Sequence, residues 1–114
     1  MKIEINENNV NLTLRVADRV YTMQLLPTSS TYEGMMIVKS LIDKFRFNEE
    51  DTKKAGIKID DKNNVSWSNE FDSSIEITKQ EFDFIKTSAR KFSEGNNVTL
   101  SNLDTIGAIL EQGK

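Results

Sequence analysis

Two hydrophobic periods divide this chain. Near its start, Ile3 and Ile5 alternate with Lys2 and Glu4. Val10, Leu12, Leu14 and Val16 then alternate with Asn11, Thr13 and Arg15. A period of two is that of a half-buried strand. Between the runs, Asn6-Glu7-Asn8-Asn9 supplies residues that accept turn backbone angles. Residues 1–16 therefore predict a β-hairpin. After Ala17 the period lengthens. Val20, Met23 and Leu26 recur at helical spacing until Pro27 prevents continuation, which predicts a short helix over residues 17–26.

The densest apolar stretch follows, over residues 30–47. Met35, Val38, Ile42 and Phe45 fall on one helical face, and Ile37 and Leu41 lie on a neighbouring one with Met36 between. A helix apolar around so much of its girth is expected to be covered from more than one side, so this segment is predicted as the central helix. Ser30 with Glu33 has the capping-box form, and Gly34 in the first turn leaves room for a close neighbour. Residues 48–56 predict a shorter helix. Asn48 caps it, Glu49, Glu50 and Asp51 sit at its positive end, Lys53 and Lys54 at its negative end, and Gly56 stops it.

Ile57 and Ile59, then Val65 and Trp67, read as a second hairpin around an Asp/Asn-rich loop, and residues 74–77 as one more strand. Thr78-Lys79-Gln80-Glu81 is another capping box. It opens a helix whose stripe is Phe82, Ile85, Ala89 and Phe92, with Phe84 off the stripe. Thr99 is expected to cap a last helix with Leu100, Leu103, Ile106, Gly107 and Leu110 on its inner face, and residues 112–114 are expected to fray. The expected fold class is α+β: a small single domain over 1–114, with about four helices around the central apolar helix and short antiparallel β-hairpins. Its parts are an N-terminal hairpin (1–16), a helical region (17–56), strands (57–77) and two C-terminal helices (78–112).

Composition narrows function mainly by exclusion. Hydrophobic residues at 37% and charged ones at 29% place the 114 residues among globular domains. There is no cysteine and no histidine, which removes disulfides, thiolate nucleophiles, the commonest general base and the commonest transition-metal ligand. The expectation is a non-enzyme with no catalytic residue, no cofactor and no metal. The net charge of −3 gives no electrostatic ground for nucleic-acid binding. No apolar run resembles a signal peptide or a membrane span, so a cytoplasmic protein without a membrane partner is expected.

Several clusters have the residue types of a site. Asp60-Asp61-Lys62-Asn63-Asn64 concentrates oxygens, but Lys62 and Val65 break the calcium-loop register and no glycine occurs, so a turn is expected. Asp43, Glu49, Glu50 and Asp51, and the pairs Asp60–Asp61 and Glu70–Asp72, read as surface charges. Lys79, Lys86, Arg90 and Lys91 give the fourth helix a basic side diluted by Glu81, Asp83 and Glu94. The order of three helices then a hairpin over 17–67 also suits a winged helix that reads nucleic acid. Its recognition helix would bring Glu49, Glu50 and Asp51 against phosphates, which disfavours DNA. Phe84, Trp67 and Tyr32 are the candidate interface residues, Phe84 foremost because its helix's own stripe leaves it out.

Leu25-Leu26-Pro27, the apolar run 36–41, Phe47-Asn48-Glu49-Glu50, Val65-Ser66-Trp67-Ser68 and Val98-Thr99-Leu100 together resemble small uncharacterised proteins of bacteriophages and prophages. The resemblance carries no catalytic or binding residue. It implies an accessory protein in a bacterial host cell that acts by protein–protein interaction, with inhibition of a host defence or nucleic-acid-handling protein as the implied role. A protein partner is expected on this ground, and self-association through the edge strands is a further expectation.

Overall fold

The computed structural model describes residues 1–112. The N-terminal hairpin forms as its alternation predicts. β1 (Lys2–Ile5) and β2 (Val10–Leu14) pair antiparallel with Ile3 opposite Leu12 and Ile5 opposite Val10. The Asn6 amide donates to the Asn9 carbonyl at 2.9 Å and closes the turn. Then come α1 (Val16–Gln24), α2 (Tyr32–Phe45), α3 (Glu49–Ala55), β3 (Lys58–Ile59), β4 (Val65–Ser66), β5 (Ser73–Ile77), α4 (Lys79–Glu94) and α5 (Leu103–Glu111). The class is α+β, with five helices and two small antiparallel sheets among the described residues.

One sheet runs β1-β2-β5, so the late strand β5 returns to the first hairpin. The other pairs β3 with β4 alone. β2 lies in the middle of the larger sheet, and its Val10, Leu12 and Leu14 are fully buried. They meet Leu41 and Phe45 of α2, Phe82, Ile85 and Ala89 of α4, and Ile106 and Ile109 of α5 in the main core. A second, smaller cluster gathers Val16, Val20 and Ala55 under Tyr21, Phe47, Ile57, Val65, Trp67 and Phe71.

α2 packs on α1, β5 and α4 along a single stripe of Gly34, Val38, Leu41 and Phe45. This corrects the expected face. Ile42 is 40% and Met36 52% exposed, while Val38, Leu41 and Phe45 are buried and Ile37 packs half-buried against the core that they share with β2. Gly34 turns the stripe towards the preceding loop, where a β-carbon on residue 34 would run into Ser30. The cap is Thr31, not Ser30: its hydroxyl accepts from the Gly34 amide at 3.0 Å. Asn48 caps α3 as expected, accepting from the Asp51 amide at 2.7 Å, and Gly56 ends it at φ 68° in the left-handed region. Thr78 and Glu81 form the expected capping box on α4.

α5 also presents a different face. It begins at Leu103, and Leu100 is 91% and Leu103 48% exposed, while Thr105, Ile106 and Ile109 are buried. The helix is turned so that Thr105 can reach a carboxylate on α1. The expected fraying of residues 112–114 falls mostly on Gly113 and Lys114, outside the described residues.

Candidate interaction surface

α1 carries two charges inside its apolar run, and both are buried. Asp18 accepts from the Arg15 amide at 2.9 Å, from the Arg15 guanidinium at 3.2 Å and from the Thr105 hydroxyl at 2.6 Å, and lies 3.3 Å from the Met1 ammonium. Burial by itself would raise its pKa. Its hydrogen bonds from Arg15 and Thr105, with the nearby ammonium, outweigh that and bring it down to about 2.

Arg19 is 3% exposed. Its guanidinium donates to the carbonyls of Phe45 and Arg46, to Asp51 and to Ser73, and stacks 4.1 Å from the Phe47 ring centroid. Glu81, beyond its capping role, accepts from Ser40 and Lys44, each at 2.6 Å. Desolvation opposes its ionisation, yet these donors hold its pKa below the ordinary value. All three networks tie elements together.

Two carboxylates expected at the bare surface also have structural work. Glu70 accepts from the Val16 amide at 2.7 Å, the Ala17 amide at 3.3 Å and the Trp67 indole at 3.0 Å, capping α1 from a distant loop. Asp51 pairs with Arg19. The Asp60 loop is a turn as expected. Asp60 accepts from the Lys62 and Asn64 amides at 2.8 and 2.9 Å, which lowers its pKa, and Asn63 takes φ 63°. Among the described residues no three Asp or Glu side chains gather as a metal cluster.

Among the described residues one buried side-chain polar atom has no partner: the Thr22 hydroxyl, 1% exposed on α1. Thr22→Val exchanges it for a methyl of the same shape. The expected result is a gain of about 1 kcal/mol in urea unfolding, because a desolvated, unpaired hydroxyl disappears without leaving a hole.

The three predicted interface aromatics are differently placed. Tyr32 is 75% exposed at the start of α2. Trp67 is half-buried in the smaller cluster, edge-on to Tyr21 at 6.2 Å, and positions Glu70. Phe84 is half-buried against the main core and lines a cleft of about 300 Å³ with Leu25, Pro27, Ser88, Lys91 and Phe92. Tyr32 and Trp67 do not line the Phe84 cleft, so the three aromatics do not share that site.

A second cavity, of about 290 Å³, has a different character. Val20 and Met23 of α1, Phe47, and Ile57, Ile59 and Val65 of the β3–β4 hairpin line it, with Gln24 and Asn63 as its polar members. None of these side chains titrates, and the walls are overwhelmingly apolar. Beside it, Ile59 is 68% exposed. Sequence reasoning found Ile57 with Ile59, and Val65 with Trp67, as faces of the two strands of one hairpin. It missed the groove because α1 and Phe47 complete it only in three dimensions.

No helix among the described residues is long and apolar enough to cross a membrane. Compared with protein-family models, with curated proteins and with solved structures, the chain finds no match.

Proposed function

We propose that this chain is a non-enzymatic docking protein that receives an apolar side chain of another polypeptide in the groove between α1 and the β3–β4 hairpin. One observation carries the reading: a groove without a titratable wall, bordered by an exposed isoleucine. Such a site can desolvate an aliphatic or aromatic anchor, which is how protein interfaces concentrate affinity. It offers no acid, base or nucleophile for chemistry. The phage resemblance supports a cytoplasmic accessory role in a bacterial host, with a host defence or nucleic-acid-handling protein as the class of partner. The winged-helix alternative is less well supported, because α3 leads with the exposed Glu49 and Glu50.

A photo-crosslinking residue at Gln24, in the groove, tests the reading against the same residue at Leu100, which is exposed elsewhere. The expected result is a discrete protein adduct from position 24 that disappears with Ile59→Asp, and none from position 100. Equal labelling from both positions, or none from position 24, overturns it.

A further inference from the structure

The β3–β4 sheet has only two strands of two residues each, and both residues of β3 are exposed. An isolated two-stranded ribbon of this length is marginal in water. Its hydrogen-bond register shows which backbone groups remain free. The Asp60 amide donates to the Asn64 carbonyl at 3.1 Å. Lys58 lies two residues earlier, opposite Ser66. Antiparallel pairs alternate, so Lys58 and Asp60 turn their backbone groups towards β4 while Ile59 turns its N–H and carbonyl outwards. Among the described residues the outer edge of β3 is therefore an unpaired donor and acceptor, at a residue whose side chain is 68% exposed.

We propose that this edge pairs with the same edge of a second copy of the chain across a two-fold axis at Ile59. The inference rests on reading the hairpin groove as a docking surface, and names one occupant of its rim. Two-fold antiparallel pairing centred on Ile59 sets the two Ile59 residues opposite each other, exchanging both backbone hydrogen bonds. The same register sets Lys58 of each copy opposite Asp60 of the other. The surface is thus electrostatically self-complementary, with two Lys–Asp pairs formed by one symmetry operation. Both Ile59 side chains leave water on the groove side, and the two grooves join into one apolar trough. The two small ribbons become one four-stranded sheet, ordered β4-β3-β3-β4.

Sedimentation velocity of the full chain from micromolar concentrations to about 0.5 mM tests this, with Ile59→Pro as the decisive variant. Proline removes an amide that β4 does not use, so the hairpin's own bonds remain while edge pairing is lost. The expected result is a monomer–dimer equilibrium that Ile59→Pro weakens at least about tenfold. Lys58→Glu, which sets like charges opposite each other, is expected to weaken it too. Circular dichroism should match wild type in both variants. A wild-type monomer at every concentration, or a dimer indifferent to both substitutions, overturns the proposal. Where the chain stays monomeric but position 24 still crosslinks a different protein, the second-copy assignment falls and the docking reading stands. Where a dimer responds to Ile59→Pro but no groove adduct forms, the edge pairing stands and the groove's role for other partners falls.

Discussion

Replacing Arg19 by Met is expected to destabilise the fold by about 4 kcal/mol. The methionine occupies much of the same volume, so the loss is not chiefly a cavity. It comes from acceptors left behind. The Phe45 and Arg46 carbonyls at the end of α2 lose the guanidinium that serves both, at 2.7 to 3.2 Å. Asp51 loses its buried cation and Phe47 its stacking partner. Unpaired polar groups in a dry site cost more than the bonds themselves contribute. Arg19→Lys should recover only part of the loss, because one ammonium cannot reproduce a planar fork reaching four acceptors. Urea unfolding measures both. A midpoint within about 1 kcal/mol of wild type for Arg19→Met would show that Arg19 does not clamp α1 to the end of α2.

Asp18→Asn is expected to cost about 3 kcal/mol at neutral pH, and to change the acid response as well. The asparagine keeps the size but leaves the Met1 ammonium, itself 1% exposed, without its counter-charge. The folded-state pKa of Asp18 is lowered to about 2 from an ordinary 3.8. A lowered carboxylate pKa means that the ionised form favours folding. That stabilisation is complete above the unfolded-state pKa and is lost as pH falls towards 2. It is worth about 2 kcal/mol over that window. Wild type should therefore weaken between about pH 4 and 2 more steeply than Asp18→Asn, and the gap between them should narrow as pH falls. Glu81, lowered in the same direction by Lys44, Ser40 and Thr78, adds acid sensitivity that both proteins share. Parallel stability curves for the two proteins from pH 7 to 2 would show that Asp18 is not the group responsible.

Both residues were legible as an anomaly and not as a network. An adjacent Asp and Arg between Val16-Ala17 and Val20 is an odd interruption of an apolar run. Arg15 three residues before Asp18 has the spacing of a helix-start pair. Their partners could not be read, because Thr105 lies 87 positions from Asp18 and Asp51 lies 32 from Arg19. The same limit hid Glu70, which looked like a surface acid and caps a helix 54 residues upstream.

The candidate groove divides in the same way. Its hairpin wall was visible as two strand faces, Ile57 with Ile59 and Val65 with Trp67, while its α1 wall was visible only as a helical repeat of Val20 and Met23. Nothing in either pattern states that the two walls face each other. Phe84 shows the converse, since a residue off its helix's stripe need not be a free surface residue. It packs against the main core beside a cleft completed by Leu25 and Pro27.

The chain by itself determined the type and order of the elements and several of their ends, although α2 and α5 start from Thr31 and Asn102 and not from Ser30 and Thr99. Strand alternation, Asn48 and Thr78 caps, the Gly56 stop and the Asp60 turn all act within a few residues, and each appears as read. Tertiary structure decided which faces are inside. α2 turned on Gly34 and Leu41 and left Ile42 outside, and α5 turned on Thr105 and left Leu103 outside. α2 and α5 carry apolar residues around much of their girth, so several rotations would bury similar apolar surface and local pattern discriminates weakly among them. A hydroxyl needed by a buried carboxylate discriminates strongly, and Thr105 lies 87 positions from Asp18, whereas the tight contact at Gly34 is made by Ser30 in the loop just before it.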